Sequence, residues 1–209
     1  IRDVQRQTER AGAVILDSRE LTGDPASLRA GVIIVGGGTV GLSMAVALAR
    51  AGCDVLALEA GPATVSKESQ RLFEAARNLG HRLDGLHQGR FRAFGGTSNF
   101  WGGQLVKFEP IVFGPRPWAS EFAGWPISHD DVAPYYRKVF ALVGMAKADD
   151  DDSAVAARLG TAPPALPDDL EFFFSRWAPE PNFARLYENE IRRLPNLRVV
   201  TEAQVAALR

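Results

Sequence analysis

With 24 Lys and Arg against 25 Asp and Glu in 209 residues, the net charge of −1 gives no electrostatic case for nucleic acid or an anionic membrane. Cys53 is the single cysteine, which excludes an internal disulfide and a cysteine-built metal site, and no apolar run is long enough to span a bilayer. The length suits one domain and part of another. Both ends read as cut: the chain opens on Ile1 rather than Met and stops at Arg209, directly after a strand-like segment.

In chain order, residues 1–11 read as a short helix, residues 13–17 as a short edge strand and residues 21–29 as a turn-rich entry to the core. Val32, Ile33, Ile34 and Val35 are β-branched, as in a strand buried on both faces. The following turn has the G-x-G-x-x-G spacing on Gly36, Gly38 and Gly41. Gly36 permits the tight turn, Gly38 lets the backbone approach a pyrophosphate, and Gly41 lets the next helix pack on the strand. That helix covers residues 42–50 and stops near Gly52. Free N–H groups at its positive end would receive the phosphates. Cys53 reads as a small buried residue between this helix and a second strand, residues 55–58, which ends on Glu59. Glu59 stands near the ~20-residue offset at which a carboxylate meets ribose hydroxyls, and it would repel a 2′-phosphate, which disfavours NADP. The bland alternative is a glycine-rich βα turn without ligand. Strand, glycines, helix, second strand and acid in that order favour a dinucleotide site, with FAD and NAD both open.

Residues 60–62 form a turn, and residues 67–79 have helical spacing with Leu72, Phe73, Ala76 and Leu79 on one side. Residues 105–118 suggest extended loops. Ser128 with Asp131 starts a helix reaching Gly144, with Val132, Tyr136, Val139, Phe140 and Val143 toward the core. The run Asp149 to Asp152 reads as a solvated loop rather than a metal site, because four adjacent carboxylates cannot face one ion. Residues 163–169 are a loop and residues 171–177 an aromatic strand. Phe172, Phe173, Phe174 and Trp177 either line a substrate wall or pack in a core, and the core is favoured for part of the set. Residues 182–194 read as a helix, and residues 197–200 and 203–208 as short strands.

A second chemical stretch spans Arg92 to Gly103, where glycines surround Thr97, Ser98, Asn99, Phe100 and Trp101. Glycine here lets backbone N–H groups approach a flat or anionic ligand. The two hydroxyls suit phosphate and the two rings suit a flat ring system.

With this loop in view, the chain resembles the glucose–methanol–choline (GMC) family of flavin oxidoreductases, in the bacterial branch near pyranose 2-oxidase. The fingerprint at Gly36 to Gly41, the triplet Glu59-Ala60-Gly61, the loop Gly95-Gly96-Thr97-Ser98 and the segment 197–208 carry the resemblance, with Gly124-Trp125-Pro126-Ile127 as a further match. It implies an α/β fold: a Rossmann-like FAD-binding domain (residues 30–110) and the beginning of an α+β substrate domain (residues 111–195). Residues 196–209 would return to the first domain after an extension of residues 1–29. It implies FAD as cofactor. Gly36, Gly38, Val40 and Gly41 would hold the pyrophosphate, and Glu59 and Ala60 the adenosine ribose. Gly95, Gly96, Thr97 and Ser98 would meet the pyrophosphate and ribityl chain. Asn99, Phe100, Trp101 and Gly102 would run along the isoalloxazine, and Val205 would offer its backbone to the adenine.

Two departures qualify the resemblance. Phe100 stands where pyranose 2-oxidases carry the histidine bonded to flavin, so FAD is expected to be held non-covalently. The family's catalytic histidine pair would lie beyond Arg209, so no catalytic residue is assigned; His81, His87 and His129 read as exposed or structural. The expected activity is oxidation of a sugar or glycoside hydroxyl by hydride transfer to flavin N5, with a base outside this chain. The expected partners are a small-molecule substrate and a C-terminal half or partner chain. Rival readings are another flavoenzyme of the hydroxylase or amine oxidase type, an NAD-dependent dehydrogenase, and a truncated FAD-binding chain without turnover.

Overall fold

The computed structural model describes residues 15–22, 28–116, 124–149, 151–162 and 164–208. The helix expected over residues 1–11 lies outside them. The chain divides into two compact units, one of residues 1–101 and 180–209 and one of residues 102–179. These boundaries fall at 101/102 and 179/180, where the sequence reading placed them at 110/111 and 195/196.

The first unit is built on a four-stranded parallel sheet. Its strands are β1 (Ile15–Asp17), β2 (Val32–Val35), β3 (Val55–Leu58) and β6 (Leu197–Thr201), in the order β1-β6-β3-β2. The register pairs Ile34 with Ala57 and Ala57 with Val199. Helix α1 (Thr39–Arg50) joins β2 to β3. Its residues Leu42, Ala45, Val46 and Ala49 recur at three- and four-residue steps and are all buried, the single apolar stripe that a covering helix needs. Helix α5 (Phe183–Ile191) packs on α1. It buries Phe183, Tyr187 and Ile191, and the Tyr187 hydroxyl lies 3.3 Å from Ser43 Oγ. Burial pushes the Tyr187 phenol up, against the lowering effect of Ser43. Leu42, Val46, Val55, Leu56, Leu197, Val199 and Val200 are fully buried, each contributing about 1.5–3 kcal/mol, and Tyr187 and Ile191 of α5 complete this core.

Four expectations change here. β2 is not buried on both faces: Ile33 and Val35, which alternation places on one face, are 53 % and 56 % exposed, while Ile34 on the opposite face is buried. Residues 203–208 form no strand; Glu202 takes φ 54° and turns the chain out of the sheet after Thr201. Helix α2 (Lys67–Glu74) is shorter than residues 67–79, and Leu72 and Leu79 are exposed. Ser66 caps it reciprocally with Ser69, its one buried residue, so packing supports the first turn and nothing rewards a longer helix. Cys53 is half-buried rather than enclosed, since it sits in the turn after α1.

In the second unit, β4 (Gln104–Leu105) pairs antiparallel with β5 (Arg176–Trp177). Helix α3 (His129–Leu142) has the expected Ser128–Asp131 capping box and buries Phe140, with Val143 buried just beyond it and Val139 exposed instead. Within the aspartate run, Asp151 and Asp152 begin a helix rather than a solvated loop, and Asp150 lies outside the described residues. Asp151 caps helix α4 (Asp152–Leu159), accepting from Ala154 N–H at 2.8 Å. Asp152 pairs with Arg176 at 2.8 Å and accepts from Phe174 N–H at 3.0 Å. Of the expected strand over residues 171–177, only the last two residues pair. The Phe172 and Phe174 rings meet edge-on at 4.8 Å, but Phe172, Phe173 and Trp177 are 36 %, 58 % and 58 % exposed and Phe174 is only half-buried, so none of the four is a core residue. Among the described residues no helix is long and apolar enough to cross a membrane, and no cluster of His, Cys, Asp and Glu could hold a metal.

Candidate functional site

At the end of β2, Gly36 N–H donates to Leu58 O at 2.8 Å and Gly36 turns at φ 103°. A Cβ on Gly41 would stand 1.9 Å from Gly36 O, so α1 rests directly on that carbonyl and tolerates no side chain there. Gly38 is the N-cap of α1 and supplies no side-chain cap. The first i→i−4 bond is Leu42 N–H to Gly38 O, so the N–H groups of Thr39, Val40 and Gly41 have no acceptor within the helix. No acidic residue occupies this first turn. Bare donors at the positive end of a twelve-residue helix could cradle an anion. A Cβ on Gly38 would meet only Gly96 Cα, at 3.9 Å, so the approach to that cradle is open. Val40, one residue into the helix, is exposed.

Glu59 leaves β3 buried, 7 % exposed. Its Oε2 accepts from Gly37 N–H and its Oε1 from Gly61 N–H, each at 2.7 Å. The carboxylate therefore fastens the glycine turn to the segment after β3, and its charge is satisfied by two backbone donors. Each oxygen keeps capacity for a further donor such as a ribose hydroxyl. Ala60 lies half-buried between these anchor points. Gly61 passes so close to Arg92 that a Cβ would come within 2.4 Å of its carbonyl. The chain after β6 joins the same place: Glu202 N–H donates to Gly61 O at 2.9 Å and Ala203 N–H to Glu59 O at 2.8 Å, two residues before half-buried Val205.

The second glycine loop locks onto the first. Gly95 N–H donates to Gly37 O at 2.8 Å, and a Cβ on Gly96 would stand 3.0 Å from Gly38 Cα. Both glycines have positive φ. The side chains that follow divide their work. Thr97 is exposed. Ser98 is buried: its hydroxyl donates to Gly95 O at 2.6 Å and accepts from Phe183 N–H at 3.0 Å, so its one proton stays within the protein. Asn99 Nδ2 donates to Phe94 O and Gly96 O, and its Oδ1 accepts from Asn182 Nδ2 at 3.0 Å. Trp101 Nε1 donates to Pro181 O, with its ring 6.1 Å from that of Phe183. Phe100 is 65 % exposed and packs on Phe91 at 4.4 Å. Gly102 already belongs to the second unit.

Gly36, Gly37, Gly38, Gly41, Glu59, Gly95 and Gly96 are thus brought together by short backbone contacts. The sequence reading missed the start of α5 as a support for this loop; the signal was Asn182, an asparagine at a helix cap. Of the histidines, His81 is exposed, His87 Nδ1 lies 2.7 Å from Phe73 O, and His129 lies 3.5 Å from Asp130.

Residues 31–108 match the family model of FAD-dependent oxidoreductases. The matched segment contains both glycine loops and Glu59. Over 133 residues the chain is 26 % identical to a 2-methyl-1,2-propanediol dehydrogenase of Mycolicibacterium austroafricanum, covering 54 % of this chain and 24 % of that protein. A solved fungal aryl-alcohol oxidase superposes with a TM-score of 0.44 at 13 % identity, over 84 % of this chain and 39 % of its own. An L-amino acid deaminase from Proteus vulgaris does so with a TM-score of 0.35 at 14 % identity, over 87 % and 42 %. The chain therefore spans about a quarter of the curated relative's length. FAD fits the residues present: a bare helix N-terminus for a pyrophosphate, open space at Gly38, and a buried carboxylate with unused lone pairs.

Proposed function

We propose that this chain is the cofactor-anchoring part of an FAD-dependent oxidoreductase of GMC type that oxidises a hydroxyl of a sugar, glycoside or other alcohol to a carbonyl. The observation that carries the reading is the junction of the two glycine loops over the uncapped start of α1, with Glu59 buried beside it. The alcohol donor is supported by the relative whose name is a diol dehydrogenase.

In this reading bound FAD would supply the acceptor for a hydride leaving the carbinol carbon. The chain's residues supply position. The N–H groups of Thr39, Val40 and Gly41 bind pyrophosphate, Glu59 orients the ribose, Thr97 offers a hydroxyl, and Gly95 and Gly96 keep the backbone close enough for contact. Val205 offers backbone to the adenine. No side chain here is assigned as the base.

Phe100 has no nucleophilic atom, so the cofactor is expected to be held without a covalent bond. Acid denaturation should release all the yellow colour, and colour retained on the polypeptide would overturn this. Anaerobic reduction of the flavin by a panel of sugars and simple alcohols tests the donor class. Reduction only by NAD(P)H would favour a hydroxylase-type flavoenzyme, and a colourless protein binding NAD would exclude the flavin reading.

A further inference from the structure

Ser98, Asn99 and Trp101 reach the same target, the first turn of α5. Residues 181–183 lie eighty or more positions downstream of their partners, at the point where the chain re-enters the first unit. Trp101 is where it leaves. Asn182 does two jobs there. Its Oδ1 caps α5, accepting from Ala184 N–H at 2.9 Å and Arg185 N–H at 3.2 Å, while its Nδ2 donates to Asn99 Oδ1. Asn99 can accept this proton only because its own Nδ2 is turned inward to Phe94 O and Gly96 O. The amide orientations are mutually determined: reversing either one sets donor against donor or acceptor against acceptor. Gly95, with positive φ, lies under the same turn, and a Cβ on it would stand 3.1 Å from Ala184 Cβ.

We infer that Asn182 is a positioning residue for the cofactor loop: through Asn99 it holds residues 95–101 closed against α5 and so sets the backbone that FAD would meet. The inference rests on the reading of this site as an FAD site. Helix capping and loop holding are chemically separable. Asn182→Ser and Asn182→Asp both keep an oxygen that can cap α5, and both remove the amide N–H offered to Asn99: the aspartate has no proton to give, and the serine hydroxyl sits on a side chain one atom shorter. The aspartate also sets a carboxylate against Asn99 Oδ1, so its effect should be the larger.

The experiment compares the wild-type protein with both variants by amide hydrogen exchange and FAD titration. For Asn182→Asp the expected result is exchange about tenfold faster across residues 95–101, with residues 186–191 of α5 unchanged. FAD should bind about tenfold more weakly, with an altered visible circular dichroism band. Asn182→Ser should show a smaller change in the same direction. Unchanged loop exchange, or equal acceleration in loop and helix, would overturn the clasp by showing that Asn182 only caps α5. Unchanged FAD affinity and dichroism despite a loosened loop would overturn its cofactor role. A wild-type chain that binds no FAD would defeat the functional reading, and the exchange data would still decide the clasp.

Discussion

Replacing Gly41 by Ala is expected to abolish FAD retention and to destabilise the protein even when no cofactor is present. The new Cβ would stand 1.9 Å from Gly36 O and 3.1 Å from Gly36 C, both backbone atoms at the mouth of β2. No rotamer relieves a clash with backbone, so α1 must lift from the strand. Overpacking of this kind costs typically about 1–3 kcal/mol and here falls in the upper part of that range. For a chain of this size that lowers the melting temperature by roughly 4–12 °C. Lifting α1 also carries its uncapped N–H groups away from the glycine turn. Gly38→Ala is the informative partner. Its Cβ would meet nothing closer than Gly96 Cα at 3.9 Å, so the apoprotein should melt near the wild-type temperature. If pyrophosphate occupies that space, the same methyl group should still weaken FAD binding by about tenfold or more. Thermal melts of both apoproteins, followed by flavin titration, check the pair. A Gly41→Ala protein as stable as wild type would contradict the packing. A Gly38→Ala protein with full FAD affinity would show that the ligand lies elsewhere.

These two glycines also show what was legible in the sequence. A G-x-G-x-x-G turn is local: its constraints are set by backbone within six residues, so spacing alone identifies Gly41 as the packing position. The same holds for the Ser128–Asp131 capping box, where both partners lie in one helical turn. Glu59 was legible as an acid at a strand end, but not as the residue bonded to Gly37 and Gly61. Ser98 and Asn99 read as ligand contacts because their chemistry suits phosphate or flavin. Their hydrogens go to carbonyls of the loop itself, but the donors they accept from, Phe183 N–H and Asn182 Nδ2, sit at the start of α5 more than eighty residues away, and no local pattern announces that. Helix α4 was hidden for a related reason. Asp151 and Asp152 look like solvated charge until a cap and an Arg176 partner 24 residues on are seen. The exposure of Ile33 and Val35 depends on what packs over their face of β2, and β-branched composition reports propensity rather than cover.

Glu59→Gln is expected to destabilise the apoprotein as well as weaken FAD binding, and the first effect distinguishes two roles for this residue. A carboxylate that served only a ribose would be dispensable without ligand. Here both oxygens are occupied inside the protein, each accepting a backbone N–H at 2.7 Å. The amide of glutamine has one oxygen, so one of Gly37 N–H and Gly61 N–H must face an NH₂ group in a buried setting. Leaving a buried donor unpaired costs about 1–3 kcal/mol, and the lost charge assistance adds to it. The apoprotein should therefore melt roughly 3–10 °C lower. Glu59→Ala leaves both donors unpaired and opens a cavity beside Gly37, so its loss should be larger. FAD affinity should fall in the same order, since the glycine turn and the segment at Gly61 are no longer drawn together. Differential scanning calorimetry of the apoproteins, with flavin titration of each, measures both effects. Unchanged melting of the glutamine variant with weakened FAD binding would assign Glu59 to the ribose alone. A parallel fall in both makes it the tie that shapes the cradle before any ligand arrives.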